Sequence, residues 1–164
     1  MINLKKWIIA TSLGFFCMGI IISCSHKNYI YEESKEITAE KWFYKDTLNY
    51  SFQIVDTTKI YNIYLELVHN TDYAYQNLYL KMHTQFPSGK RITQQVSFEL
   101  ADKFGQWYGD CGSGSCSLLV PSQKRAYFNV IGEHTITIEQ FMRKDPIEGI
   151  KDLSVRIEDT RASR

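Results

Sequence analysis

The sequence predicts an all-β protein: an antiparallel β-sandwich, jelly-roll or immunoglobulin-like, of about seven or eight strands. Three observations predict it. From Asn49 onward apolar and polar residues alternate with period two. The alternating runs are short and divided by frequent turn signals. No segment carries the 3.6-residue period of a long amphipathic helix; Gln140 to Asp145 is expected to form a single turn at most.

A chain of 164 residues is one domain with appendages. It holds 19 basic and 18 acidic residues, and Lys5 and Lys6 both precede the first apolar run, so the remainder carries 17 against 18. That balance argues against a nucleic-acid binder, which shows a basic excess. Eleven tyrosines dominate the aromatic content.

The first element is a targeting segment. Lys5 and Lys6 are followed by an uncharged apolar stretch from Trp7 to Ile22, which is 16 residues long. A membrane-spanning helix needs roughly 20, so the stretch fits the apolar region of a secretory signal. It ends in Ile21-Ile22-Ser23-Cys24, the aliphatic–variable–small–Cys pattern of a bacterial lipobox. Cleavage is expected between Ser23 and Cys24, with lipidation of Cys24; an uncleaved signal anchor is the competing reading. One acyl chain is a marginal anchor, whereas the two or three carried by a lipoprotein cysteine, palmitate among them, hold permanently. Cys17 would be discarded with the signal. Ser25, in place of Asp, points to the outer membrane, and no acidic run follows directly, which favours the periplasmic face.

Residues 1–23 are therefore read as signal peptide, 24–41 as a lipid-anchored tether, and 42–160 as the sandwich. The tether, charged and without clear period, would have an r.m.s. reach of about 20–25 Å. Strands are expected next at Leu48 to Val55, then over "YNIYLELV", with Ile63, Leu65 and Leu67 on one face. "NLYLKMHTQF" and "RITQQVSFEL", joined by the turn "PSGK", make a hairpin. Further strands are expected at Leu118 to Val120, Ala126 to Val130, His134 to Met142 and Leu153 to Ile157.

Chemical candidates are few. Cys111 and Cys116 bracket Gly and Ser in "CGSGSC". A disulfide, free thiols, and a metal or redox pair compete; the disulfide is adopted because exported proteins favour it. His26, His69, His83 and His134 are scattered, with His69 and His83 expected to face solvent. There is no G-x-S-x-G elbow, and the Glu32–Glu33 pair lies in the expected tether. No catalytic residue, metal or cofactor is assigned, and the protein is read as a non-enzyme. Tyr64, Tyr73, Tyr75 and Tyr79 are different: β-propensity explains them, but so does a contact surface for a protein or a glycan.

The strand residues carry a resemblance to a known family. After the lipobox come "YNIYLELVHNTDYAYQNLYL" at 61–80, "FPSG" at 86–89, "ADKFGQWYG" at 101–109 and "IEQFMRKDPIEGIKDLSVRIE" at 138–158. In order and spacing the chain resembles the GldH gliding-motility lipoproteins of Bacteroidota over about residues 20 to 158. The resemblance implies an outer-membrane lipoprotein needed for gliding, with no catalytic residues to carry over. It also implies exposure to that phylum's O-glycosylation, which acts on Asp-Thr/Ser followed by a small or aliphatic residue. "DTL" and "DTT" are similar to that pattern, making Thr47 and Thr57 candidate glycan sites. The expected function is a membrane-tethered interaction module of the gliding or secretion machinery, with other envelope proteins as partners. The alternative is a glycan- or cell-wall-binding lipoprotein using surface tyrosines.

Overall fold

A computed structural model describes residues 27–164; Cys17, Ser23, Cys24 and His26, and with them the signal and lipidation readings, lie outside the described residues. Eight strands of seven residues or more build the domain: β1 (Tyr29–Glu36), β3 (Leu48–Ile54), β4 (Lys59–Asn70), β5 (Asn77–Gln85), β6 (Arg91–Glu99), β8 (Ser115–Ala126), β9 (Gly132–Gln140) and β11 (Ile150–Ser163). Three short ones join them: β2 (Lys41–Trp42), β7 (Asp110–Gly112) and β10 (Ile147–Glu148). The order is β1-β11-β4-β8-β7 in one sheet and β3-β9-β5-β6 in the other, with β10-β2 as a small ribbon; every strand pairing is antiparallel. Counting only the eight long strands in chain order, the sheets read 1-8-3-6 and 2-7-4-5. That nesting is the double Greek key of a jelly roll, which decides between the two sandwich types.

Period-two sequence produces this directly. Tyr50, Phe52 and Ile54 from β3, Leu65 and Leu67 from β4, and Leu78, Leu80 and Met82 from β5 are buried, with exposed or half-buried residues between them. Ile136 and Ile138 from β9 and Leu153, Val155 and Ile157 from β11 complete the layer between the sheets. Full burial of each such side chain contributes about 1.5–3 kcal/mol, so this layer is the main source of cohesion.

The expected tether is corrected. Tyr29–Glu36 is β1, paired residue by residue with β11, Tyr31 opposite Ile157 and Glu36 opposite Asp152. Its inner face consists of half-buried Tyr31, Glu33 and Lys35, and Ile37 just beyond is buried. A strand at a sheet edge needs little apolar content, so its charges disguised it. Only residues 25–28 remain between Cys24 and the first strand. A second correction concerns β8, which runs over Ser115–Ala126 and takes in the expected Leu118 to Val120, whereas the strand expected at Ala126 to Val130 is loop beyond Ala126. Pro121 interrupts its pattern, but beyond Ser117 β8 pairs only with β4, and an edge strand tolerates proline. The expected turn at 140–145 is a bend; the single helical turn among the described residues is the 3-10 segment Thr38–Glu40.

Short connections make the ends of the two sheets coincide. At one end, here called proximal, lie the start of β1, the turn 55–58, the turn 86–90, the loop 127–131 and the C-terminus. The distal end gathers 37–47, 71–76, 100–109 and 141–149.

Candidate functional site: an aromatic cleft at the distal end

β9 keeps its alternation through Ile136, Ile138 and Gln140, so Gln140 points inward although it is polar, and it is 2% exposed. A buried amide must find partners. Gln140 Oε1 accepts the Met142 backbone N–H at 2.9 Å, and Nε2 donates to the Lys144 carbonyl at 3.3 Å. The loop after β9 is thereby folded over its own strand end. Tyr44 fastens it from the other side: its hydroxyl donates to the Met142 carbonyl at 2.6 Å, and its N–H donates to Asp145 Oδ1 at 2.8 Å. The Phe141 N–H donates to the Tyr79 carbonyl at 2.8 Å.

This clamped loop and the first residues of β5 enclose a cleft of about 630 Å³. Tyr75, Tyr79, Phe141 and Met142 give its lining apolar surface, Asn77 and Gln95 supply amides, and the exposed Arg143 and Lys144 add two bases. The Lys81 ammonium lies 3.8 Å from the centroid of the 44%-exposed Phe141 ring, a cation–π contact. Asn77 Nδ2 donates to the Tyr79 hydroxyl at 3.3 Å. A second hollow of about 380 Å³ shares Tyr75 and Lys144 and adds Glu40, Asp72 and Glu148, so the recess continues into mixed charge. A largely apolar lining with a few polar groups and two bases is equipped to bind, and its amides and cations suit carboxylate or hydroxyl partners. Among the described residues no group of His, Cys, Asp and Glu is arranged to hold a metal ion.

Of the four singled-out tyrosines, the structure brings Tyr75 and Tyr79 together in the cleft. Tyr73 is a correction: it is 4% exposed, packs between His69 and Tyr75, and has its hydroxyl pKa raised by burial. It precedes β5 in a loop that dips into the core, so alternation could not place it. Tyr64 sits on the outer face of the other sheet, away from the cleft. There its hydroxyl donates to Glu158 at 2.9 Å, the Lys27 ammonium lies 4.4 Å from its ring, and its pKa is raised, chiefly by burial.

His69 and His83 also differ from the solvent-facing positions expected of them. His69 is fully buried because it continues the inward series Ile63, Leu65, Leu67 by one more step of two. Its Nδ1 lies 2.8 Å from the Asn70 carbonyl, and its ring meets Trp107 edge-on. His134 is buried among Phe52, Phe86 and Phe128. Burial lowers the pKa of both. His83 is nearly covered, beside Thr93 and Glu139.

Cys111 and Cys116 face each other across the β7–β8 hairpin, with their sulfurs 2.02 Å apart. Ser113 and Gly114 both have positive φ, the type I′ geometry that suits a two-residue hairpin. Thr47 is exposed in the distal turn before β3, and Thr57 is half-buried in the proximal turn after it. Sequence reasoning missed Phe141, Met142, Arg143, Lys144 and the clamp Gln140. The signal was present in "TITIEQFMRKDP": an amide on the inward face followed at once by an aromatic and two bases.

The model of the GldH lipoprotein family matches residues 29–157. A gliding motility lipoprotein GldH homolog from Christiangramia forsetii is 31% identical, over 91% of this chain and 96% of its own. Gliding motility lipoprotein GldH from Flavobacterium johnsoniae is 24% identical, over 85% of this chain and 89% of its own. Among solved structures the subviral particle of infectious bursal disease virus VP2 is a distant likeness: TM-score 0.35 and 15% identity, over 79% of this chain and 33% of that one.

Proposed function

The chain belongs to the GldH lipoprotein family, a family of gliding-motility lipoproteins, and from that premise we propose that it is a non-catalytic interaction module. It is anchored through Cys24 to the outer membrane on the periplasmic side, and its distal cleft binds another envelope protein of the gliding or secretion machinery. The observation that carries this reading is the clamped loop 141–145. A buried glutamine and a tyrosine fix it from both sides, so the backbone that carries Phe141, Arg143 and Lys144 is ordered before binding and only their side chains remain to be fixed. Aromatic and arginine side chains around a pocket are the usual anchors of such contacts. The lipobox and Ser25 support the placement.

Photocrosslinking from position 141 in cells, followed by affinity isolation, tests the reading. One envelope protein should be recovered, and the Phe141→Ala/Arg143→Ala variant should reduce its recovery at least tenfold, as expected when hot-spot side chains are truncated. A second reading is favoured by one observation: Asn77 and Gln95 flank Tyr75 and Tyr79 as amides flank stacking rings in sugar sites. Binding on a glycan array that is abolished by Tyr79→Ala, with no protein recovered, would replace the first reading by a glycan- or cell-wall-binding role. The anchor is tested separately: Cys24→Ala should abolish fatty-acid labelling and release the protein from membranes.

A further inference from the structure

The proximal end differs from the rest of the surface in two ways. Six of the ten exposed large hydrophobic residues lie there: Val55 at 79% exposure, Ile131 at 62%, Tyr127 at 57%, and Ile92, Ile30 and Val130 at 41–45%. Tyr127, Val130 and Ile131 share one loop, raised above Phe128, which is buried. The same end is basic. Its segments 27–30, 55–58, 86–92, 124–133 and 159–164 hold seven bases and three acids, whereas the rest of residues 27–164 holds ten bases and fifteen acids. All seven bases are exposed. Of the acids, Asp56 accepts from Thr58 and Asp159 from Lys59, leaving Glu133 as the exposed one. A nearly neutral chain is thus polarised along its length.

The N-terminal chain joins at this end. β1 begins at Tyr29, opposite Glu158 near the start of β4. From Cys24 to Tyr29 there are five residue steps, at most about 17 Å fully extended. An anchor that short cannot let the domain stand away from the bilayer, and it brings this particular end to the lipid first. Exposed Tyr, Ile and Val ringed by Lys and Arg is the composition that settles at a headgroup boundary facing anionic lipid.

We propose that the proximal end is a membrane-seating face: Tyr127, Val130 and Ile131 dip into the headgroup region while Lys90, Arg125 and Arg164 contact lipid phosphates. The seat points the distal cleft away from the bilayer; along β5, Tyr79 is roughly 20 Å above Gln85. This inference rests on the anchored reading of Cys24, but not on what the cleft binds.

The test uses the full lipidated protein in vesicles of phosphatidylcholine containing phosphatidylglycerol, read by amide hydrogen exchange. Loop 127–131 and turn 86–90 should exchange at least tenfold more slowly than in a Val130→Ser/Ile131→Ser/Arg125→Glu/Arg164→Glu variant in the same vesicles. Loops 101–109 and 141–145 should be equal in both, which shows that the variant is folded. In vesicles of phosphatidylcholine alone the protection should fall about fivefold for each basic side chain deprived of an anionic headgroup. Equal exchange of the proximal loops in wild type and variant would overturn the proposal, as would protection of the distal loops instead. Protection that tracks protein concentration at constant lipid would overturn it in favour of contact between two copies. Failure of the anchor itself would be seen independently, as absence of fatty-acid labelling on the wild-type chain.

Discussion

Replacing Gln140 by alanine should loosen the cleft while leaving the sandwich intact. The substitution removes two hydrogen bonds from a site that is 2% exposed. A neutral hydrogen bond contributes about 1 kcal/mol net, so the loss is about 2 kcal/mol. For a domain of about 140 residues the unfolding entropy near 60 °C is about 0.3 kcal/mol/K, and the melting temperature should fall by about 7 °C. Two measurements check this: thermal unfolding by circular dichroism, and hydrogen exchange at Met142, whose N–H the amide accepts. Gln140→Glu retains the acceptor for Met142 but cannot donate to the Lys144 carbonyl when ionised, so it should not restore the wild-type melting point. A fall under 1 °C with unchanged Met142 exchange would refute the clamp and the preorganised loop with it.

Other outcomes follow from residues already placed. His69 and His134 have lowered pKa values in the fold because burial disfavours their charged forms. Unfolded histidine takes a proton near pH 6.5, so the unfolded state binds more protons below that value and stability should decline from pH 7 to pH 5. His134→Phe should flatten the decline in urea titrations at the two pH values. At Gly109, φ is +85° and an added Cβ would meet the Ser117 carbonyl oxygen at 2.1 Å, whereas Gly89 at φ +80° has open space. Gly109→Ala should therefore cost at least about 2 kcal/mol and Gly89→Ala about 1 kcal/mol. For the cysteine pair, thiol trapping in cells should find Cys111 and Cys116 unreactive, and the double serine variant should lose at most about 2 kcal/mol by the loop-entropy relation. If the domain is glycosylated, glycopeptide mapping should find the sugar on Thr47 at the exposed distal turn; a glycan on Thr57 would count against the membrane seat.

Much of the sandwich was legible because its core strands obey one rule. The β5–β6 hairpin could be read with its turn, since Leu78, Leu80 and Met82 alternate cleanly and Gly89 marks the reversal. The same rule, carried one step further, would have buried His69. It failed where side chains do not report burial. β1 presents Glu33 and Lys35 on its inward side, since a sheet edge leaves room for long chains to reach water, and β8 contains a proline that only its edge position excuses. The cleft was half legible. Tyr79 was placed correctly by parity, but its neighbours come from a loop about 60 residues later in the chain, which no local pattern connects to β5. Tyr73 shows the converse, an aromatic of the expected kind drawn inward by the loop that carries it.

The pairing of the first strand with the last has a consequence for how this protein is made. Among the described strands β1 is hydrogen-bonded only to β11, and β11 fills the gap between β1 and β4. While a chain is threaded N-terminus first across a membrane, its leading strand therefore has nothing to pair with until residues 150–163 have passed through. The five-stranded sheet closes only on the last segment delivered, and such long-range pairing is slow. The topology thus acts as a timer: a chain delivered in that order stays open along its first strand until its last strand arrives.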